Sequence, residues 1–264
     1  MLVDTHCHLN FKAFKKDTSE IIKRAEENGI GKIIIPGAKL DSSITAVKIA
    51  KKYSNCYAAV GIHPHHAKDF SSDTYENLLT LAKNDKVVAI GEIGLDYHQY
   101  TNYPPVSDRN KILQEELLLI QLDVARILNL PVIFHARDSQ DDLLDFLEEY
   151  IINTGYRMKG VFHCFEGNQN HLIKALTLGF YVGYDGNITY EENSRLRELI
   201  KQTPLEKLLL ETDSPYLTPI PYRNNRNEPS YLVFIADKVA DIHHKSILEV
   251  TMKTSQNAVS LFHL

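Results

Sequence analysis

At 264 residues the chain is long enough to bury a full core without disulfides or structural metal, and its ordinary composition excludes disordered and fibrous classes. Its 34 acidic residues against 29 basic ones give a net charge of −5, which excludes a protein that grips long nucleic acid by its backbone, because phosphate neutralisation supplies most of that affinity. Cys7, Cys56 and Cys164 lack framework spacing, the start MLVDTHCHLN lacks a basic-then-apolar leader, and no apolar run reaches transmembrane length, so a cytoplasmic enzyme without a membrane role is expected.

The first apolar, β-branched run is Leu2–His6; the helical stretch SEIIKRAEEN follows, capped at Asp17-Thr18 and stopped by a left-handed Gly29. A second strand, Lys32–Pro36, leads to SSITAVKIAKKY, for which Asp41 is the candidate cap. The third and fourth strands are Tyr57–Gly61 and Val87–Gly91. A Pro-rich loop, Tyr100–Asp108, precedes a long helix from Asp108 to the break at Leu130-Pro131. The fifth strand is Val132–His135 and the sixth Gly160–His163, with Gly155 closing the segment between them. Gly179 closes another segment before the seventh strand, Phe180–Gly183. The eighth, Leu208–Glu211, is followed by an extended loop, Ser214–Pro229, and a helical tail over roughly Ile247–Leu261.

Strands and helices alternating this often predict a parallel sheet, since parallel strands need crossovers and helices supply them. Eight strands in one chain of this length predict a single (β/α)8 TIM barrel spanning residues 1–264. An open doubly wound sheet is the competing architecture, weakened by the lack of GxGxxG or GxxxxGK[ST] after the first strand.

Where the polar residues fall carries the functional reading. His6 and His8 end strand 1, His63 follows strand 3, Glu92 follows strand 4, His135 ends strand 5, His163 ends strand 6 and Asp213 follows strand 8. In a barrel all of these lie at the C-terminal rim, where active sites of this architecture are built. Imidazoles and carboxylates converging from separate strands suit divalent metals. Strand alternation turns His6 and His8 to one side and Cys7 to the other, and likewise turns Cys164 away from His163, so both cysteines are expected to pack against the helices. A Cys/His structural zinc site is disfavoured because there is no CxxC pair.

These residues lie in motifs. DTHCHL at Asp4–Leu9, GIHPHH at Gly61–His66, GEIGLDY at Gly91–Tyr97, LPVIFHARD at Leu130–Asp138, FHCFEG at Phe162–Gly167, ETDSPYL at Glu211–Leu217 and RNEP at Arg226–Pro229 resemble the motifs of the TatD family of metal-dependent deoxyribonucleases. The resemblance runs from residue 3 to about Phe262 and implies a barrel of the metal-dependent hydrolase type. It also implies that His6, His8, Glu92 and Asp213 hold one metal and Glu92, His135 and His163 another, with Glu92 bridging. Three departures bear on loop geometry and substrate preference. Glu166 replaces the usual small residue after HCF, Arg223-Asn224 replaces Arg-Gly, and the stretch from Tyr97 to Asp108 is long and adds His98.

Two divalent ions about 3.5–4 Å apart can activate a water and stabilise the attacking and leaving oxygens of a displacement. Glu92 is placed to bridge them, Asp213 to act as general base, and His63 to contact substrate. Arg137, two residues beyond His135, and the loop residues Arg223 and Arg226 are candidate phosphate contacts. No GxSxG elbow or base-paired cysteine offers a rival nucleophile. The expected activity is a two-metal deoxyribonuclease trimming single-stranded DNA ends 3′ to 5′, with Mg²⁺, Mn²⁺ or Zn²⁺ as cofactor and no obligate protein partner. The alternatives are an ester or amide hydrolase, such as one removing D-amino acids from tRNA, and a metal-holding protein without turnover, which the complete donor set disfavours.

Overall fold

Residues 1–101 and 104–264 are described by a computed structural model; Asn102 and Tyr103, within the Pro-rich loop, lie outside the described residues. Eight strands alternate with helices in the order β1 (Leu2–Asp4), α1 (Thr18–Glu27), β2 (Ile30–Pro36), α2 (Leu40–Lys52), β3 (Cys56–Val60), α3 (Thr74–Ala82) and β4 (Val87–Asp96). Then come α4 (Asp108–Leu128), β5 (Val132–Arg137), α5 (Gln140–Thr154), β6 (Gly160–Phe162), α6 (Gln169–Thr177), β7 (Tyr181–Tyr184), α7 (Ser194–Gln202), β8 (Leu208–Leu210), α8 (Leu232–His243) and α9 (Ile247–Phe262). Each strand pairs in parallel with the next. The seam between β8 and β1 is bridged just beyond the strand ends: Thr5 N–H donates to Leu210 O at 3.2 Å, Asp213 N–H to His6 O at 2.9 Å and His8 N–H to Ser214 O at 2.8 Å. The result is the (β/α)8 barrel that the alternation predicts.

Two apolar layers follow from burial on both faces of such strands. Val3, Ile34, Ala59, Ile133, Val161 and Leu209 fill the barrel interior together with Leu261 and Phe262 of α9. Side chains such as Ile33, Ile35, Ala58 and Val182 pack outward against the helices. α4 begins where Ser107 Oγ accepts the Asn110 N–H and ends at a left-handed Asn129, and its buried face carries two glutamines. Gln121 clasps the N–H and C=O of Ile62 at 2.7 and 3.0 Å, and Gln114 those of Asp96 at 2.8 and 2.9 Å. The ends of β3 and β4 are thereby fixed from the helix layer, on the rim that carries the polar residues.

Several boundaries differ from the expectation. β1 ends at Asp4, so His6 and His8 lie on the extended segment of the seam, and β4 continues to Asp96, so Glu92 lies within it. A register shift between Ile90 and Ile93 interrupts the β4–β5 ladder at Glu92, and such irregularities re-aim side chains. α2 starts at Leu40, which places Asp41 in its first turn and not at its cap. α3, α7 and α8 are absent from the individually predicted helices.

Candidate functional site

At the C-terminal mouth lies a cleft of ≈ 560 Å³ lined by His8, His63, Glu92, His135, His163 and Asp213, among others. Each side chain is aimed by its backbone. Asp4, fully buried, accepts the His6 N–H at 3.3 Å and the Thr212 N–H and Oγ at 3.0 and 2.7 Å, coupling the segments that bear His6 and Asp213. Burial pushes its carboxyl up to about 8. Asp213 adopts φ 50, a left-handed conformation that a short polar side chain tolerates. Glu92 N–H donates to Gly37 O at 2.9 Å. Gly94, φ 145, lies so close to the His135 backbone that a Cβ there would collide with it, so β4 can pass beside His135 only as glycine.

The donors form two groups around Glu92. His6 Nε2 and His8 Nε2 are 3.2 Å apart, each 3.6–3.8 Å from Glu92 Oε2 and 3.7 and 3.3 Å from Asp213 Oδ1. On the other side Glu92 Oε1 meets His135 Nδ1 at 2.9 Å and His163 Nε2 at 2.7 Å, and these two nitrogens are 3.2 Å apart. Ligands roughly 2.0–2.1 Å from a tetrahedral ion stand about 3.3–3.5 Å from one another, close to the 3.2–3.8 Å edges of the first group. The chemistry fits as well, because imidazole and carboxylate lone pairs facing one another need cations or protons between them. Burial, then the charge of His163, lowers His6 to about 4 and keeps it a neutral lone-pair donor. Burial opposes charge on His163, but Glu92 outweighs it and raises that imidazole to about 10, so the pair shares a proton that a divalent cation would replace.

His63 Nε2 is 3.6 Å from Glu92 Oε1. Its Nδ1 accepts the His65 N–H at 3.1 Å, so Nε2 carries the proton of the neutral ring, and burial holds the ring neutral. Arg137, at the end of β5, lines the same cleft and donates to Tyr100 Oη at 3.3 Å. Arg223 is instead paired with Glu192 over the Tyr190 ring, and Arg226 with Asp17 over the Phe14 ring, and neither lines the cleft. Cys7 is buried in the outer core as expected, but Cys164 is not packed against helices. β6 has ended at Phe162, strand alternation no longer applies, and a left-handed φ of 43 turns Cys164 to line the cleft. Glu166 also lines it and accepts from Asn187 Nδ2 at 3.0 Å; His98 pairs with Asp138 at 2.7 Å.

Three further carboxylates belong to the site and were missed. Asp96 accepts from His135 Nε2 at 3.0 Å, His65 Nε2 at 2.9 Å and Tyr100 Oη at 2.9 Å. Two-residue alternation along β4 from Glu92 through Gly94 is the signal that would have found it. Glu211 accepts the Cys164 N–H and lies beside Asp185, and burial pushes both carboxyls up. Glu211 stands in the ETDSPYL motif two residues before Asp213, but no sequence signal marks Asp185.

Histidines and carboxylates gathered at two points on the mouth of a closed parallel barrel make a hydrolase centre that works with metal. The family model described as TatD related DNase matches residues 3–263. A Bacillus subtilis (strain 168) protein described as the uncharacterized metal-dependent hydrolase YabD is 34% identical over 264 residues, covering 100% of both chains. The Escherichia coli (strain K12) protein described as 3'-5' ssDNA/RNA exonuclease TatD is 33% identical, covering 99% of this chain and 98% of its own. The crystal structure of YJJV, a TatD homolog from Escherichia coli K12, superposes with a TM-score of 0.90 at 31% identity, covering 100% of this chain and 98% of that one. The chain belongs to the TatD family and is a metal-dependent hydrolase. Among the described residues no helix is long and apolar enough to cross a membrane.

Proposed function

We propose that this hydrolase is a nuclease that removes nucleotides from the 3′ end of single-stranded DNA with two divalent cations. The observation that carries the reading is the division of Glu92, whose Oε2 faces His6 and His8 while Oε1 faces His135 and His163. A carboxylate so divided suits a bridge between two ions. His6, His8, Asp213 and Glu92 Oε2 would hold one, and His135, His163 and Glu92 Oε1 the other. Bound cations would acidify a water and neutralise charge on the phosphoryl oxygens. Of the two carboxylates that face His6 and His8, Asp213 is the more exposed, with 15% of its side chain reaching the cleft against 5% for Glu92. It takes the proton of the attacking water. His63 donates Nε2–H to a phosphoryl oxygen, and the Arg137 guanidinium, committed to no carboxylate at hydrogen-bond distance among the described residues, binds the neighbouring phosphate. The net charge of −5 fits capture of a terminal nucleotide in a local cleft, not a grip on long duplex. The described activity of the Escherichia coli TatD relative supports the same substrate.

The test uses metal-stripped protein and 5′-labelled single-stranded DNA with Mg²⁺, Mn²⁺ or Zn²⁺ added in turn. The expected result is a cation-dependent ladder shortening from the 3′ end, weakened at least about 10²–10³-fold by Glu92→Ala. Intact DNA with every cation, alongside confirmed binding of two ions per chain, would reject the nuclease and redirect the search to carbonyl substrates such as aminoacyl-tRNA.

A further inference from the structure

One side of the cleft is aromatic. Phe11 stacks face to face on His8, with ring centroids 4.2 Å apart and planes 14° from parallel, and Tyr216 meets Phe11 edge-on at 6.4 Å. Both rings line the cleft together with Asp213 and His8. Tyr216 is 53% exposed, and of the large apolar side chains left exposed among the described residues it is the one that lines this cleft. Its exposure is not looseness of the loop. Tyr216 N–H donates to Asp213 O at 2.9 Å, and the fully buried Asn227 donates through Nδ2 to Tyr216 O at 2.6 Å and Thr212 O at 2.8 Å. A rigid backbone therefore presents a wet aromatic face three residues from a site carboxylate. Folding gains nothing from that exposure, whereas a planar ligand would.

We propose that the Phe11–Tyr216 pair is the stacking platform for the nucleobase at the 3′ end of single-stranded DNA. The inference rests on the nuclease reading and gives it a second contact surface. Strand order supplies the layout: Phe11 follows β1 and Tyr216 follows β8, at the seam, whereas Arg137 ends β5, four strands around the barrel. A base on the seam aromatics and a phosphate at Arg137 would hold the chain across the mouth, with the Glu92 donor groups between. Every base has a π-face, so the platform tolerates all four bases. A base can reach it only after leaving a duplex stack, which is a physical source of preference for single strands.

The test compares wild type, Tyr216→Ala and Tyr216→Phe, all loaded with the activating cation. The substrates are 5′-labelled single strands ending either in a normal 3′ nucleotide or in an abasic one. Tyr216→Ala is expected to raise KM for the normal strand by about 5- to 150-fold with a smaller change in kcat. Tyr216→Phe recovers most of that loss. On the abasic strand wild type is already impaired and Tyr216→Ala adds nothing. Equal KM for wild type and Tyr216→Ala on the normal strand, or an equal loss on both strands, overturns the platform while the nuclease stands. Failure of wild type to cut either strand overturns both.

Discussion

The Asp96 carboxylate is buried yet accepts from His135, His65 and Tyr100 at once, and from the His98 N–H at 2.9 Å. Burial alone would raise its pKa, but these donors outweigh burial and hold it well below the usual carboxylate range. It is therefore a fixed negative charge behind His135. By accepting Nε2–H it selects the tautomer that leaves Nδ1 as a lone pair facing Glu92 and His163. Gln114 clamps the Asp96 backbone, so the carboxylate has little freedom to follow the ring. A partner of this kind typically contributes 10–100-fold in metal affinity. Asp96→Asn should accordingly weaken one class of divalent ion, the one on the His135 and His163 side, by about 10- to 100-fold, and leave the His6 and His8 class nearly intact. Calorimetric titration of the stripped protein with Mn²⁺ resolves the two classes, and an unchanged isotherm would remove Asp96 from the site.

Among the elements, what was legible is what depends on short-range pattern. Parallel strands buried on both faces read as continuous apolar runs, and the polar residue at the end of each run marks the rim, so His6, His8, His135, His163 and Asp213 are found together as predicted. Glu92 was misplaced to a position after β4 because that strand continues through polar residues, paired to β5 by Gly94 with His135 and Asp96 with Arg137. α8 has an apolar stripe at Leu232, Ile235, Ala236, Val239 and Ala240, but no side-chain cap announces it after the long loop. Arg223 and Arg226 could be read as free phosphate contacts because their partners, Glu192 and Asp17, stand 31 and 209 residues away in sequence. The loop is tied to α1 a second time by Glu228, which takes a two-pronged contact from Arg24 at 2.9 and 2.7 Å. Burial opposes the Glu228 charge, but Arg24 and Ser230 lower its pKa. A carboxyl lowered on folding stabilises above its unfolded value of about 4.3, and that stability is lost as pH falls through the folded value. With Arg24 nearly half exposed, Glu228→Gln should cost about 1–2 kcal/mol at pH 7. The gap to wild type should close below about pH 4. Urea unfolding at several pH values measures this, and a gap that stays constant with pH would exclude the ion pair as its cause.

The whole molecule separates stability from chemistry along the barrel axis. The donor groups occupy the C-terminal mouth, while α9 closes the opposite end. Ser255 Oγ donates to Met1 O at 2.7 Å, ahead of β1, and Asn257 Nδ2 to Leu208 O at 2.9 Å, at the start of β8. From there Leu261 and Phe262, each 1% exposed, enter the interior layer beside Val3 and Leu209. Removing a buried phenyl ring deletes its transfer free energy and leaves a cavity, together about 3–5 kcal/mol, so Phe262→Ala should lower Tm by roughly 6–20 °C. Cation affinity should not change, because no donor to the site shifts. Linkage nevertheless connects the two ends, since an ion that binds only the folded chain stabilises all of it. A cation at about 100 times its Kd should return about 2.7 kcal/mol per site to wild type and variant alike. Thermal unfolding of both proteins across a Mn²⁺ series therefore gives two parallel curves offset by the Phe262 loss. Curves that diverge as Mn²⁺ rises would mean that the plug at the base of the barrel also shapes the centre at its mouth.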